Sequence, residues 1–244
     1  MFGIDPIHLI IIFGGMALSL AAAGYVKWQF HRGKAVPLRS GITGADIARR
    51  ILRDQGIDDV EVVEHQGFLS DHYNPMAKKL ALSPDVYNGS HAAAAGVAAH
   101  EVGHAIQHAH GVWHMWLRSV LVYPGYFGSM LGPILIMIGV FLAGGRAMMP
   151  GSGAQILALV GVGVFGLSTL CAFAIVHNEF NASSQARLAL VRMGITDSGE
   201  EDSAVQKVLF AAGLTYLAAA VISLMELLYW AWQAGLVGGG RREE

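Results

Sequence analysis

Residues 6–26, 119–143, 153–176 and 208–234 carry almost no charge. At roughly 1.5 Å of rise per residue, each is long enough to cross about 30 Å of hydrocarbon as a helix. Lipid offers backbone amides no partner, so stretches of this kind fold as helices. The expected fold class is therefore mainly α: an integral membrane protein with about four transmembrane helices. The polar segments, 27–118 and 177–207, are expected to add a small α+β portion to the same single domain of residues 1–244.

Composition agrees. Hydrophobic residues make up 54% of the 244 and charged residues 14%, with mean hydropathy +0.47; soluble domains are nearer about 25% charged. The net charge of −2 gives no electrostatic case for nucleic acid. Cys171 is the one cysteine and lies in an apolar run, which excludes an intrachain disulfide and a cysteine-based metal site. The first apolar stretch ends in Ala21-Ala22-Ala23, similar to a signal-peptide cleavage site. However, the charge before it is Asp5, and the basic residues Lys27, Arg32 and Lys34 follow it. That pattern predicts a retained span whose C-terminal end is cytoplasmic.

Lysine and arginine place the rest. Segment 27–118 carries ten of them, the loop between spans two and three carries Arg146, and segment 177–207 carries Arg187, Arg192 and Lys207. The positive-inside rule puts both polar segments in the cytoplasm and both termini outside. Arg241 and Arg242 fit this less well, although Glu243 and Glu244 follow them.

Within the first polar segment lies AAAAGVAAHEVGHAIQHAHG, an alanine-rich run that reads as helix. It contains His100-Glu101-Val102-Gly103-His104. Two histidines one helical turn apart can reach one ion, and the glutamate beside them can act as general base toward a water. Gly103 leaves room beside the metal. A catalytic zinc needs a third protein ligand on the same side of the membrane. Spans two and three form a hairpin, so the chain after span three returns to that side, and Glu179 is the best candidate there. His108 lies about 12 Å from His100 along a helix axis, too far to share one ion easily. His110 has metzincin spacing, but Gln107 stands where that pattern has the glycine that turns the chain. His108, His110 and His114 therefore read as polar or interfacial side chains.

Elsewhere, residues 43–55 have helical apolar spacing with Thr43 as N-cap and Gly56 as stop. Residues 60–64 and 79–83 read as strands, 67–75 as turn, and Ser83 or Ser90 as starts of later helices. Strand followed by metal-binding helix suits a zincin, whose edge strand can hold an extended peptide. His72 and Tyr73, in Asp71-His72-Tyr73-Asn74-Pro75, are candidate donors to an oxyanion; the alternative is a turn that satisfies its own backbone.

LSDHYNPMAKKLALSPDVYNGSHAAAAGVAAHEVGHAIQHAHG and the later HNEFNASSQARLAL resemble the YugP-like membrane zinc metallopeptidases, and the likeness runs over most of the chain, from the first span and TGADIARRIL through LTYLAAAV in the last. The resemblance implies a bacterial integral membrane protein of the inner membrane, Zn2+ as cofactor and polypeptide as substrate. EFNAS is also similar to the E-F-x-A-D stretch of HtpX-like membrane proteases, which are gluzincins. That match gives Glu179 the ligand place beside His100 and His104, with Glu101 catalytic. Ser183 stands where those relatives carry an aspartate. Two rival roles are a scaffold with a closed structural zinc, which has no need of Glu101, and a transporter. For a transporter the spans offer few polar groups besides Glu226.

Overall fold

The computed structural model describes residues 5–236 except 110, 112, 145–148, 150 and 198, and no side chains are described for 113–124. His110, Arg146 and the tail from 237, with its glycines and Arg241 to Glu244, thus lie outside the described residues, as do the side chains of His114 and Arg118. The chain is mainly helical: α1 (Pro6–Lys34), α2 (Gly44–Asp54), α3 (Pro84–Tyr87), α4 (Ala92–Ala109), α5 (Trp113–Leu142), α6 (Gly153–Arg192) and α7 (Glu200–Gln233). Strands β1 (Glu61–Glu64), β2 (His72–Asn74) and β3 (Lys79–Leu82) form one small sheet. Helices α1, α6, α7 and the described part of α5 from Gly125 are long and apolar enough to span a membrane.

The described residues form two compact units. One is built from Leu20–Leu117 with Val176–Tyr216, the other from what precedes, separates and follows these segments. The second unit has a small core of Ile136, Ala158, Phe165, Tyr229 and Trp230. Ile10, Phe141 and Leu170 are each more than 60% exposed. An apolar exterior around so small a core is what a lipid solvent allows. Glu226 in this unit places Oε2 3.1 Å from Nε2 of His8, whose ring stacks on Tyr229.

The first unit folds around α4. Phe30, Ile47, Ile51, Leu80, Leu82, Val102, Leu190 and Val205 are buried together. Helix α2 begins as expected: Thr43 is extended and its Oγ1 accepts from the Asp46 N–H. It ends with Gly56 at φ +66°, where Gly56 N–H bonds Arg53 O and Ile57 N–H bonds Leu52 O. That Schellman closure requires a left-handed residue, which glycine supplies without a Cβ clash. The sheet order is β1-β3-β2, with β1 parallel and β2 antiparallel to β3. β2 falls inside the stretch expected to be turn. Its pairing places His72 opposite Ala81 and Tyr73 opposite Leu80. The reversal after it is held by Asn74 Oδ1, which accepts from the N–H groups of Met76 and Ala77.

Candidate metal centre

Alanine favours helix, so propensity alone carries much of α4. Its first turn is closed by His91 rather than by Ser90: Nδ1 of His91 accepts from the Ala94 N–H at 3.0 Å. Burial holds the His91 imidazole below its ordinary pKa, with Lys34 adding to the effect. The neutral ring is the form that can accept this bond. The helix then runs unbroken through Gln107 to Ala109, as expected where the sequence lacks the metzincin glycine.

His100 and His104 project from one face of α4 toward α6. The approach is close because residue 103 is glycine: a Cβ there would lie 3.1 Å from Ala182 O. On the facing turn of α6, Glu179 is 1% exposed and directs Oε2 to 3.2 Å from His100 Nε2 and 3.4 Å from His104 Nε2. One ligand atom from each of the three lies within 4.8 Å of the others. The two imidazole planes stand 80° apart, so their nitrogens converge from different directions. Two nitrogens and one carboxylate oxygen, nearly all buried, match the donor set of a catalytic zinc that keeps an open position.

Both remaining imidazole nitrogens have partners. Ser183 Oγ is 3.1 Å from His100 Nδ1, and Gln107 Oε1 is 3.2 Å from His104 Nδ1. Gln107 Nε2 donates to Asn181 Oδ1 at 3.1 Å, and Gln185 Nε2 donates to the same oxygen. In the sequence, Ser183 is marked by the resemblance alone, and Gln107 only as the residue in place of a glycine. The legible trace of the second is its spacing, three residues past His104 and so on the same helical face.

Glu101 is 9% exposed, and its Oε2 accepts from the Tyr73 N–H at 3.0 Å. The structure thus brings Tyr73 to Glu101 through the backbone. The Tyr73 hydroxyl pairs instead with His108 Nδ1 at 2.8 Å. Both residues line a cavity of about 610 Å³ with Asp58, Asp59 and Lys78. His72 is exposed; its Nδ1 lies 2.9 Å from Ser70 O and its ring meets His65 edge-on. His108 does not join the metal-ligating group. Asp71 accepts from the Ser83 N–H and hydroxyl. Burial pushes its carboxyl above the usual range, those bonds oppose the shift, and the charge of Glu101 adds to it.

The profile of the family described as "Putative neutral zinc metallopeptidase" matches residues 8–235. The chain is 40% identical over 224 residues to the Bacillus subtilis (strain 168) protein named "Putative membrane protease YugP", covering 91% of this chain and 94% of that one. No solved structure matches. On the profile and the identity together, the chain belongs to this zinc metallopeptidase family.

Proposed function

We propose that the protein is a membrane-integrated zinc endopeptidase of gluzincin type, with His100, His104 and Glu179 as metal ligands and Glu101 as general base. The observation that carries this reading is the convergence of those three ligand atoms from α4 and α6, with Glu101 next to His100 on α4. A Zn2+ ion held by His100, His104 and Glu179 would supply Lewis acidity and a water acidified toward neutral pH. Glu101 takes a proton from the attacking water and delivers it to the nitrogen of the scissile amide as the bond breaks. The backbone N–H of Tyr73 holds the Glu101 carboxylate in place at rest. His72 and Tyr73, on strand β2, are the proposed oxyanion donors; each must turn from its present partner, Ser70 O or His108, to serve.

The substrate is a polypeptide, and a membrane protein or unfolded segment near the cytoplasmic face suits the setting. The excess of lysine and arginine in 27–118 and 177–207 supports a multi-pass protein of the bacterial inner membrane with its active site facing the cytoplasm. An extended substrate can add to the edge of the sheet at β2, beside Glu101. The test is zinc content and proteolysis of the detergent-purified protein beside Glu101→Gln and Glu179→Ala. We expect about one zinc per chain, retained in Glu101→Gln and lost in Glu179→Ala, with cleavage lost in both. Normal cleavage by Glu101→Gln would falsify the mechanism, and zinc that survives Glu179→Ala would remove Glu179 from the ligand set.

A further inference from the structure

An imidazole that binds metal through Nε2 must carry its proton on Nδ1, and the acceptor of that proton sets the ring's orientation and its basicity. The commonest strong acceptor is a carboxylate. In this site both acceptors are uncharged: Ser183 Oγ for His100 and Gln107 Oε1 for His104. Gln107 is 1% exposed and lies one turn past His104 on α4. Its Nε2 faces Asn181 Oδ1, which also accepts from Gln185, so the carboxamide oxygen of Gln107 is the atom left for His104. The amide chain Gln107–Asn181–Gln185 therefore runs from α4, which carries two ligands, to α6, which carries the third.

We propose that Gln107 is a positioning residue of the metal centre: it fixes His104 with Nε2 toward the ion and, through Asn181, ties that setting to the helix bearing Glu179. This rests on the ligand set proposed above. A neutral acceptor lends less electron density to the imidazole than a carboxylate does. The ion is then held less tightly than carboxylate partners would hold it, and it is left a stronger Lewis acid.

The experiment compares zinc dissociation constants of the full chain in detergent, by chelator competition, for wild type, Gln107→Leu and Gln107→Glu. The absorption spectrum of each cobalt-loaded form is recorded beside them. Leu keeps the volume and removes the acceptor; zinc binding should weaken by roughly 10- to 100-fold and the cobalt bands should shift. Glu keeps the acceptor and adds charge, with the Asn181 and Gln185 amides turning together so that Asn181 presents its N–H2 to the new carboxylate; its zinc affinity should equal or exceed that of wild type. If Gln107 only fills space, the order reverses: Leu binds zinc like wild type, and Glu, burying a charge, binds worst. That order overturns the proposal. Should Gln107→Leu fail to fold, Gln107→Glu decides alone, since an affinity below wild type has the same meaning. Absence of zinc from the wild type, or its persistence in Glu179→Ala, is a different result and strikes the ligand assignment instead.

Discussion

Two pairs of helical segments in this protein come together over glycine, to different ends. Where α5 meets α6 in the apolar unit, a Cβ on Gly161 would lie 2.7 Å from Gly132 O and 2.9 Å from Ile136 N. One on Gly139 would lie 2.6 Å from Ala154 O. Backbone rests on backbone for several turns, and the Ser168 hydroxyl donates to Gly125 O across the contact. Where α4 meets α6 in the other unit, the approach at glycine is looser: a Cβ on Gly103 would lie 3.1 Å from Ala182 O. On that second contact the neighbouring turns hold two imidazoles and a carboxylate. In lipid no hydrophobic force presses apolar helices together, so dispersion at close range must do it. With the ligand set proposed above, the helix separation at the candidate metal centre would instead be set by what the donors must reach.

The comparison breaks most visibly at Gly161. Valine there must displace backbone atoms of α5, which cannot rotate aside as a side chain can. We expect Gly161→Val to destabilise the protein by about 3 kcal/mol or more, seen as a large fall in melting temperature in detergent. A variant that melts like wild type would show that α5 and α6 do not pack as tightly as described.

Much of this was readable from the chain, and what was not has a physical reason. The apolar stretches marked the four helices, but hydropathy shows where lipid ends, not where a helix ends. Hence α1 continues from residue 26 to Lys34 and α6 from 176 to Arg192. Thr43 and Gly56 bounded α2 correctly because caps are local chemistry. β2 was missed because its three residues show no apolar alternation. They are exposed or half-buried, and pairing with β3 is what makes them a strand. The Gln107–Asn181–Gln185 chain was invisible for the same reason, since it joins residues more than seventy positions apart.

At Gly103 the expected effect is smaller and of another kind. An alanine Cβ at 3.1 Å from Ala182 O needs a shift of a few tenths of an ångström between α4 and α6. A strain of about 1 kcal/mol is typical of such a fit. If the metal site absorbs it, zinc affinity falls up to roughly tenfold. Gly103→Ala should therefore bind zinc more weakly while its zinc-free form melts close to wild type. A lowered melting temperature with unchanged zinc affinity would mean that this contact is packing alone, like that at Gly161.

The smallest effect sharpens the contrast from the side of charge. Asp71, in the unit that carries the candidate metal centre, has its carboxyl raised above the ordinary value of 3.8, first by burial and further by Glu101. A raised folded-state pKa means that the protonated form is favoured by folding. Its contribution is fully present below 3.8 and is lost as pH rises through the folded value. The substitution Asp71→Asn installs a neutral isostere, which mimics the protonated state at every pH while keeping an oxygen for the Ser83 N–H. Melting curves of wild type and Asp71→Asn, recorded from about pH 4 to about pH 7, should therefore diverge, with the wild type losing stability relative to the variant as pH rises. Glu101→Gln removes one cause of the shift and should flatten the wild-type slope in part. Parallel melting curves for wild type and Asp71→Asn would mean that the Ser83 bonds offset the burial, leaving the carboxylate as stable in the fold as in water.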